Sequence, residues 1–197
     1  MKPVVHVFAR WWAEGPVKTR LAAELGQARA REIYRRLAEG CWAGYFDPAW
    51  QRWLWVEPAA AADQAAAWLG GADRVLGQGD GDLGARMLAA FELAHREAAP
   101  WSAVVGTDAP ELDARRIREA AAALAAAELA IVPALDGGYA LLAARRPHPE
   151  LLLDMEWSTE EVTSQTLARA AAAGLRRAVL SSVRDIDRAA DLGDLKI

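Results

Sequence analysis

Short apolar, β-branched or aromatic runs recur along the chain: VVHVF at 4–8, WLWV at 53–56, RVL at 74–76, WSAVV at 101–105, LAIV at 129–132, YALLA at 139–143 and RRAVL at 176–180. Each has the length of a strand, and stretches of helical spacing separate them. Ala30, Ile33, Tyr34, Leu37, Ala38 and Cys41 recur every three or four residues and make one apolar face, as do Leu83, Met87, Ala90, Phe91 and Ala94. Asp113 stands where a helix carrying Ile117, Ala121 and Leu124 needs its N-cap. Ser158 and Glu161 read as an S-x-x-E capping box before a further helix. Strands alternating with helices predict an α/β fold, with a mostly parallel central sheet covered by helices on both faces. No repeat and no Pro/Gly/Ser-rich linker divides the chain, so residues 1–197 are expected to form a single domain. In such open sheets ligands sit beyond the carboxyl ends of the strands. That directs attention to the loops after Phe8, Leu76, Val105, Val132 and Leu180.

Composition narrows the chemistry. The apolar fraction of 53% is inflated by alanine, so the core must lean on its larger side chains, including nine tryptophans. Cys41 is the only cysteine, which excludes an internal disulfide and a thiolate metal cluster. His6, His95 and His148 lack zinc-ligand spacing, and no G-x-S-x-G elbow is present. The formal charge is -4, yet residues 10–36 carry seven cations (Arg10, Lys18, Arg20, Arg29, Arg31, Arg35, Arg36) against three anions. A basic region on an acidic chain suits a small polyanion better than a nucleic acid, although solvated helix arginines give the same pattern. The apolar run in MKPVVHVFAR is too short for a signal peptide, and no stretch is long enough to span a bilayer. A cytoplasmic protein with no membrane and no nucleic-acid partner is the expectation.

The loops offer several constellations. Gly15-Pro16-Val17-Lys18-Thr19 places a cation beside a hydroxyl but lacks the glycine that precedes a Walker lysine. It is open to two readings, a phosphate-binding loop or a solvated helix entrance. Gly79-Asp80-Gly81-Asp82-Leu83-Gly84 satisfies G-x-G-x-x-G, the fingerprint of a dinucleotide oxidoreductase. Its two aspartates oppose a pyrophosphate and it lies mid-chain rather than after the first strand, which favours the other reading, a glycine turn with aspartates capping a helix. Gly106-Thr107-Asp108-Ala109-Pro110 sets a carboxylate just past an apolar strand, as a ligand group or as an Asp-Pro turn. Asp136-Gly137-Gly138-Tyr139 is a hairpin signal. Arg184-Asp185-Ile186-Asp187 puts two carboxylates on the same side if the backbone is extended. Hard carboxylate oxygens at strand ends, completed by a substrate phosphate, describe a magnesium site.

In order along the chain, F-A-R…G-P-V-K-T-R-L, QGDGDLGARM, GTDAPEL, PALDGGYALL, WSTEEV and RDIDRAADL resemble the GT-A-like transferases of the radical-SAM/selenodomain-associated type. These are similar to the guanylyltransferases of molybdenum-cofactor and deazaflavin-cofactor biosynthesis. The resemblance runs from Val5 to about Leu192 and implies a nucleotide-diphospho-sugar transferase fold with Mg²⁺ or Mn²⁺ as cofactor. It implies that Lys18, Arg20 and Asp108 are catalytic, and that Asp108, Asp187 and Asp185 hold the metal. It further implies nucleotide contacts from Ala9, Arg10, Gly15, Gly79, Asp82, Arg86 and Thr107, together with Lys18 and Arg20. Asp136, Gly137, Gly138 and Tyr139 would face the acceptor. Trp11-Trp12-Ala13-Glu14 departs from the family's proline-containing segment, and Arg188 replaces its usual threonine.

The expected partners are therefore a nucleoside triphosphate or nucleotide sugar and a small acceptor, phosphorylated or hydroxylated. The expected activity is nucleotidyl transfer, with glycosyl transfer as the alternative. A nucleotide-binding module without turnover is the rival from another class. Trp11 and Trp12 are expected either to pack on their own helix or to form a stacking wall for a ring.

Overall fold

The computed structural model describes residues 1–193. Among these described residues seven strands form, each at a run anticipated above: β1 (Val4–Arg10), β2 (Gln51–Glu57), β3 (Arg74–Gly77), β4 (Ser102–Val105), β5 (Leu129–Pro133), β6 (Tyr139–Ala144) and β7 (Arg177–Val179). Seven α-helices accompany them: α1 (Thr19–Leu25), α2 (Gln27–Gly44), α3 (Ala62–Trp68), α4 (Leu83–Arg96), α5 (Ala114–Ala123), α6 (Pro149–Leu152) and α7 (Val162–Ala172). The sheet order is β3-β2-β1-β4-β6-β5-β7. Only β6 runs against its neighbours, pairing antiparallel with both β4 and β5.

Alternation along the strands builds the two layers. Val5, Val7, Leu54, Val56, Val105 and Val132 point to one face, against Cys41 of α2 and Tyr45 just after it, Ala65 of α3 and Ile117 of α5. Val4, Phe8, Trp53, Trp55, Val104 and Ile131 point to the other, against Met87 and Phe91 of α4, Leu151 of α6 and Ala170 of α7. The α/β architecture with a mostly parallel sheet is thus established. His6 belongs to this core: its Nδ1 accepts from Trp55 Nε1 at 3.0 Å. Burial drives its pKa down to about 3, so it is neutral and structural.

Asp113 caps α5 as expected, accepting from the Arg116 amide, and Asp82 caps α4 by accepting from the Ala85 amide. The capping box at Ser158 and Glu161 does not form. Ser158 has φ 66, and α7 begins at Val162 after a Glu161 that makes no side-chain cap. Tertiary docking overrides the local signal: the Thr163 amide donates to Gly137 O at 2.9 Å, and the Glu160 carbonyl seats directly over Gly137. The segment is thereby pressed onto the β5–β6 turn, where Asp136 Oδ1 accepts from the Gly138 amide and closes the anticipated hairpin.

Candidate active site

The loop after β1 is pinned by Val17, which is buried with Tyr34 and Ala38 of α2. Lys18 follows with φ 46 and ψ 59, a left-handed conformation that costs a non-glycine residue about 1 to 2 kcal/mol. The geometry turns its ammonium inward, where Nζ meets Asp108 Oδ2 at 2.9 Å. The Lys18 side chain is 9% exposed and that of Asp108 41%, so the cation is sheltered and the carboxylate still faces the cleft. Burial works against the Lys18 charge. Attraction and hydrogen bonding from Asp108, with Asp187 and Asp185 behind it, nevertheless hold its pKa above the ordinary lysine value.

Asp108 sits just beyond β4, and its backbone carbonyl accepts from the Ile186 amide at 2.9 Å. Ile186 is buried among Leu21, Ile33 and Leu37 of α1 and α2. Anchoring that one residue presents Asp185 and Asp187, on either side of it, to the same cleft. Asp187 Oδ2 pairs with Arg20 Nη1 at 2.8 Å. Asp185 has its pKa pushed up to about 6, first by burial and then by the charges of Asp136 and Asp108.

Three lobes open from Asp108. A polar lobe of about 690 Å³ is lined by Lys18, Arg20, Asp136, Asp185 and Asp187. A second, of about 680 Å³, is lined by Ala9, Arg10, Lys18, Asp82, Arg86 and Thr107. The third, of about 340 Å³, is mainly apolar and carries Phe8, Met87, Tyr139 and Trp157.

The structure thus brings together the catalytic candidates Lys18, Arg20 and Asp108. It also gathers most of the expected nucleotide residues, and Asp136, Gly138 and Tyr139 on the acceptor side. Gly15, Gly79 and Gly137 do not line these lobes. They bend the chain at φ 68, 77 and 92 respectively. The basic region divides: Arg35 and Arg36 pair with Glu32 along α2, and Arg31 donates to Gly15 O, whereas Arg10, Lys18 and Arg20 face the cleft. Trp11 and Trp12 pack. Trp12 lies against Val17, Tyr34 and Ala38, and its ring and that of Trp11 meet Trp68 at centroid distances of 6.4 and 5.8 Å.

Two site residues were not anticipated. Glu57 closes β2 and holds Arg86 Nη1 at 2.6 Å and Arg10 Nη2 at 3.4 Å on the same Oε2, tying the end of β1 to the first turn of α4. The signal was a carboxylate at a strand end before a proline, WLWVEP. Tyr34 was read only as part of an apolar face, but its hydroxyl accepts from the Arg10 amide at 2.8 Å and lies 3.1 Å from Thr107 Oγ1. Helical spacing finds the buried ring and says nothing of its polar tip.

A family profile described as "Uncharacterized protein conserved in bacteria (DUF2064)" matches residues 45–159, more than half of the chain. The chain belongs to this family. No curated protein matches the sequence. Among solved structures, a candidate nucleotide-diphospho-sugar transferase from Desulfovibrio desulfuricans superposes with a TM-score of 0.90 at 27% identity, covering 98% of this chain and 85% of that one. A cytidylyltransferase from Leptospira borgpetersenii superposes with a TM-score of 0.56 at 15% identity, over 100% of this chain and 85% of that one. Rv0371c from Mycobacterium tuberculosis, crystallised in complex with manganese, gives 0.50 at 18% identity, over 97% and 96%. The fold of this DUF2064 chain is therefore that of nucleotide-using transferases. Among the described residues no helix is long and apolar enough to cross a membrane, and no group of three or more His, Cys, Asp or Glu side chains is gathered tightly enough to hold a metal unaided.

Proposed function

We propose that the chain, as one domain over residues 1–197, is a nucleotidyltransferase of GT-A type that works with Mg²⁺ or Mn²⁺. The observation that carries this reading is Lys18, a sheltered ammonium in a strained backbone conformation, fixed against Asp108 where β1 and β4 end. Strain of this kind persists where the surrounding structure enforces it, and it concentrates at functional sites. Lys18 and Arg20, with Arg10 and Arg86 across the second lobe, supply the cations that bind phosphate oxygens and neutralise charge developing on them. An acceptor hydroxyl attacks the α-phosphorus, its proton passes to solvent, and the bond to the bridging oxygen breaks to release pyrophosphate.

The donor set fits a hard divalent cation. Burial first, and then the charges of Asp136 and Asp108, push the Asp185 carboxyl up to about 6, so a cation placed between these oxygens would relieve a charge that the site now holds at a cost. Asp108 with Asp185 or Asp187 would hold the ion, and nucleotide phosphates would complete its oxygen shell, as is usual for magnesium. When bound, the ion would add to the charge stabilisation that Lys18 and Arg20 provide.

The ordered motifs support kinship with radical-SAM/selenodomain-associated transferases and with the guanylyltransferases of molybdenum-cofactor and deazaflavin-cofactor biosynthesis. Glycosyl transfer is the second reading, favoured by the likeness to a candidate nucleotide-diphospho-sugar transferase. Thermal unfolding with each nucleoside triphosphate and nucleotide sugar, with and without Mg²⁺ or Mn²⁺, tests both, because a ligand of the folded state raises Tm. A rise with triphosphates and metal, followed by pyrophosphate release, is expected. A rise with nucleotide sugars alone would favour glycosyl transfer, and binding with no turnover would leave a nucleotide-binding module. No rise with any nucleotide would overturn the proposal.

A further inference from the structure

The third lobe differs in chemistry from the other two. Its lining includes Phe8, Met87, Val104, Leu83, Tyr139 and Trp157. Tyr139 and Trp157 meet edge to face with centroids 6.3 Å apart. Trp157 is braced by Gly84 of α4, where a Cβ would fall 2.9 Å from the indole Cζ2, and the segment carrying Trp157 is clamped at Gly137 under the Glu160 carbonyl. The walls are held by close backbone packing, so the lobe is formed before any ligand arrives.

Its polar groups are as telling as its rings. Asp108, Asp136 and Asp185 line it, with the hydroxyl residues Ser158 and Thr159, and no lysine or arginine does. Both other lobes contain Lys18 and at least one arginine. A phosphate entering the third lobe meets Asp136 and Asp185, neither of which carries an ion pair among the described residues, and no cation on the wall, since Lys18 reaches Asp108 from the neighbouring lobes; the balance repels it. A sugar lying against Phe8, Met87 and Val104 turns hydroxyls toward apolar side chains, and only those that reach the three carboxylates, Ser158 or Thr159 find partners. An apolar body loses nothing there, and a volume of about 340 Å³ accommodates a ring with a short side chain.

We propose that this lobe takes the acceptor, and that the acceptor is an uncharged or cationic small molecule with an apolar, ring-sized body and a hydroxyl directed toward Asp108. The inference rests on the transferase reading and narrows it, since it excludes a phosphorylated acceptor.

The test is saturation-transfer NMR on the full chain with 2-phenylethanol, tyramine and phenyl phosphate, each with and without a mixture of the four common nucleoside triphosphates and Mg²⁺. The alcohol and the amine should bind and stay bound when nucleotide is added, and phenyl phosphate should bind about tenfold more weakly. Asp136→Asn, which keeps an acceptor oxygen for the Gly138 amide, should narrow that gap, and so should Leu83→Arg at the exposed lip. Equal or tighter binding of phenyl phosphate to the unaltered chain would overturn the inference. So would expulsion of the ring alcohols by nucleotide, which would make the lobe the base site. Nucleotide binding without any ring binding defeats this inference alone, whereas loss of nucleotide binding defeats the transferase reading beneath it.

Discussion

Arg20 and Asp187 lie 167 positions apart in the chain and meet at 2.8 Å at the mouth of the cleft. The pair joins the start of α1 to the carboxylate loop after β7, so the site exists only when early and late parts of the chain have folded onto the sheet. Exposed ion pairs contribute little to stability. Arg20→Ala should therefore leave Tm nearly unchanged while weakening triphosphate binding. A large loss of Tm with unchanged binding, in parallel unfolding and calorimetry, would make the pair structural.

Lys18→Ala should weaken nucleoside triphosphates by at least about tenfold, the scale of a charge-assisted hydrogen bond, and nucleosides hardly at all. Calorimetry with both ligands reads the difference. Equal losses would contradict a phosphate contact.

Asp108→Ala should abolish the part of nucleotide binding that depends on Mg²⁺ or Mn²⁺ and leave the far-ultraviolet circular dichroism spectrum intact. The Asp108 contact to Ile186 runs through the backbone carbonyl, so the C-terminal loop keeps its anchor. Undiminished metal-dependent binding would refute the assignment of Asp108 as a ligand.

Asp185 gives a pH signature in metal-free protein. Its folded pKa of about 6 lies above the ordinary value of 3.8, so between these limits the folded chain keeps a proton that the unfolded chain has shed. Stability then falls as pH rises through that window, and the penalty is complete above it. Asp185→Asn removes the penalty. With solvent screening of a half-exposed group discounted, a gain of about 1 kcal/mol is expected at pH 8 and none at pH 3.5, measured by denaturant unfolding in chelator. A gain of the same size at both pH values would show that the carboxylate charge is not its source.

Gly137→Ala forces a side chain into a residue at φ 92 and onto the Glu160 carbonyl. A loss of about 2 to 4 kcal/mol is expected, together with displacement of the Trp157 segment. Normal stability with unchanged binding in the apolar lobe would show that this clamp is dispensable.

The strands were legible because apolar runs of the right length are separated by long polar-faced segments, and Asp113 was legible because an N-cap is local. The failure at Ser158 has the opposite cause. Its conformation is set by the β5–β6 turn, more than twenty positions away, and no local pattern encodes that contact. Glu57 and the Tyr34 hydroxyl escaped for a related reason: the first signals only a charge at a strand end, and the second is the polar tip of a residue chosen by helical spacing for its ring. Lys18, Arg20 and Asp108 are singled out by the ordered motifs, but their nearness to one another follows from the register of β1 on β4, where Val7 sits opposite Val105.

The reversed strand β6 bears on how a transferase of the proposed kind can diversify. The half of the sheet holding β1 to β3 meets the half holding β5 and β7 only through β4 and its four-residue antiparallel ladder with β6, Ser102 to Val105 against Ala144 to Leu141. Backbone hydrogen bonds of that kind tolerate many side chains. On the proposed reading, a change of acceptor falls on the segment from Asp136 to Glu160, within the constraint that Leu152 and Trp157 keep their seat on Gly84 of α4.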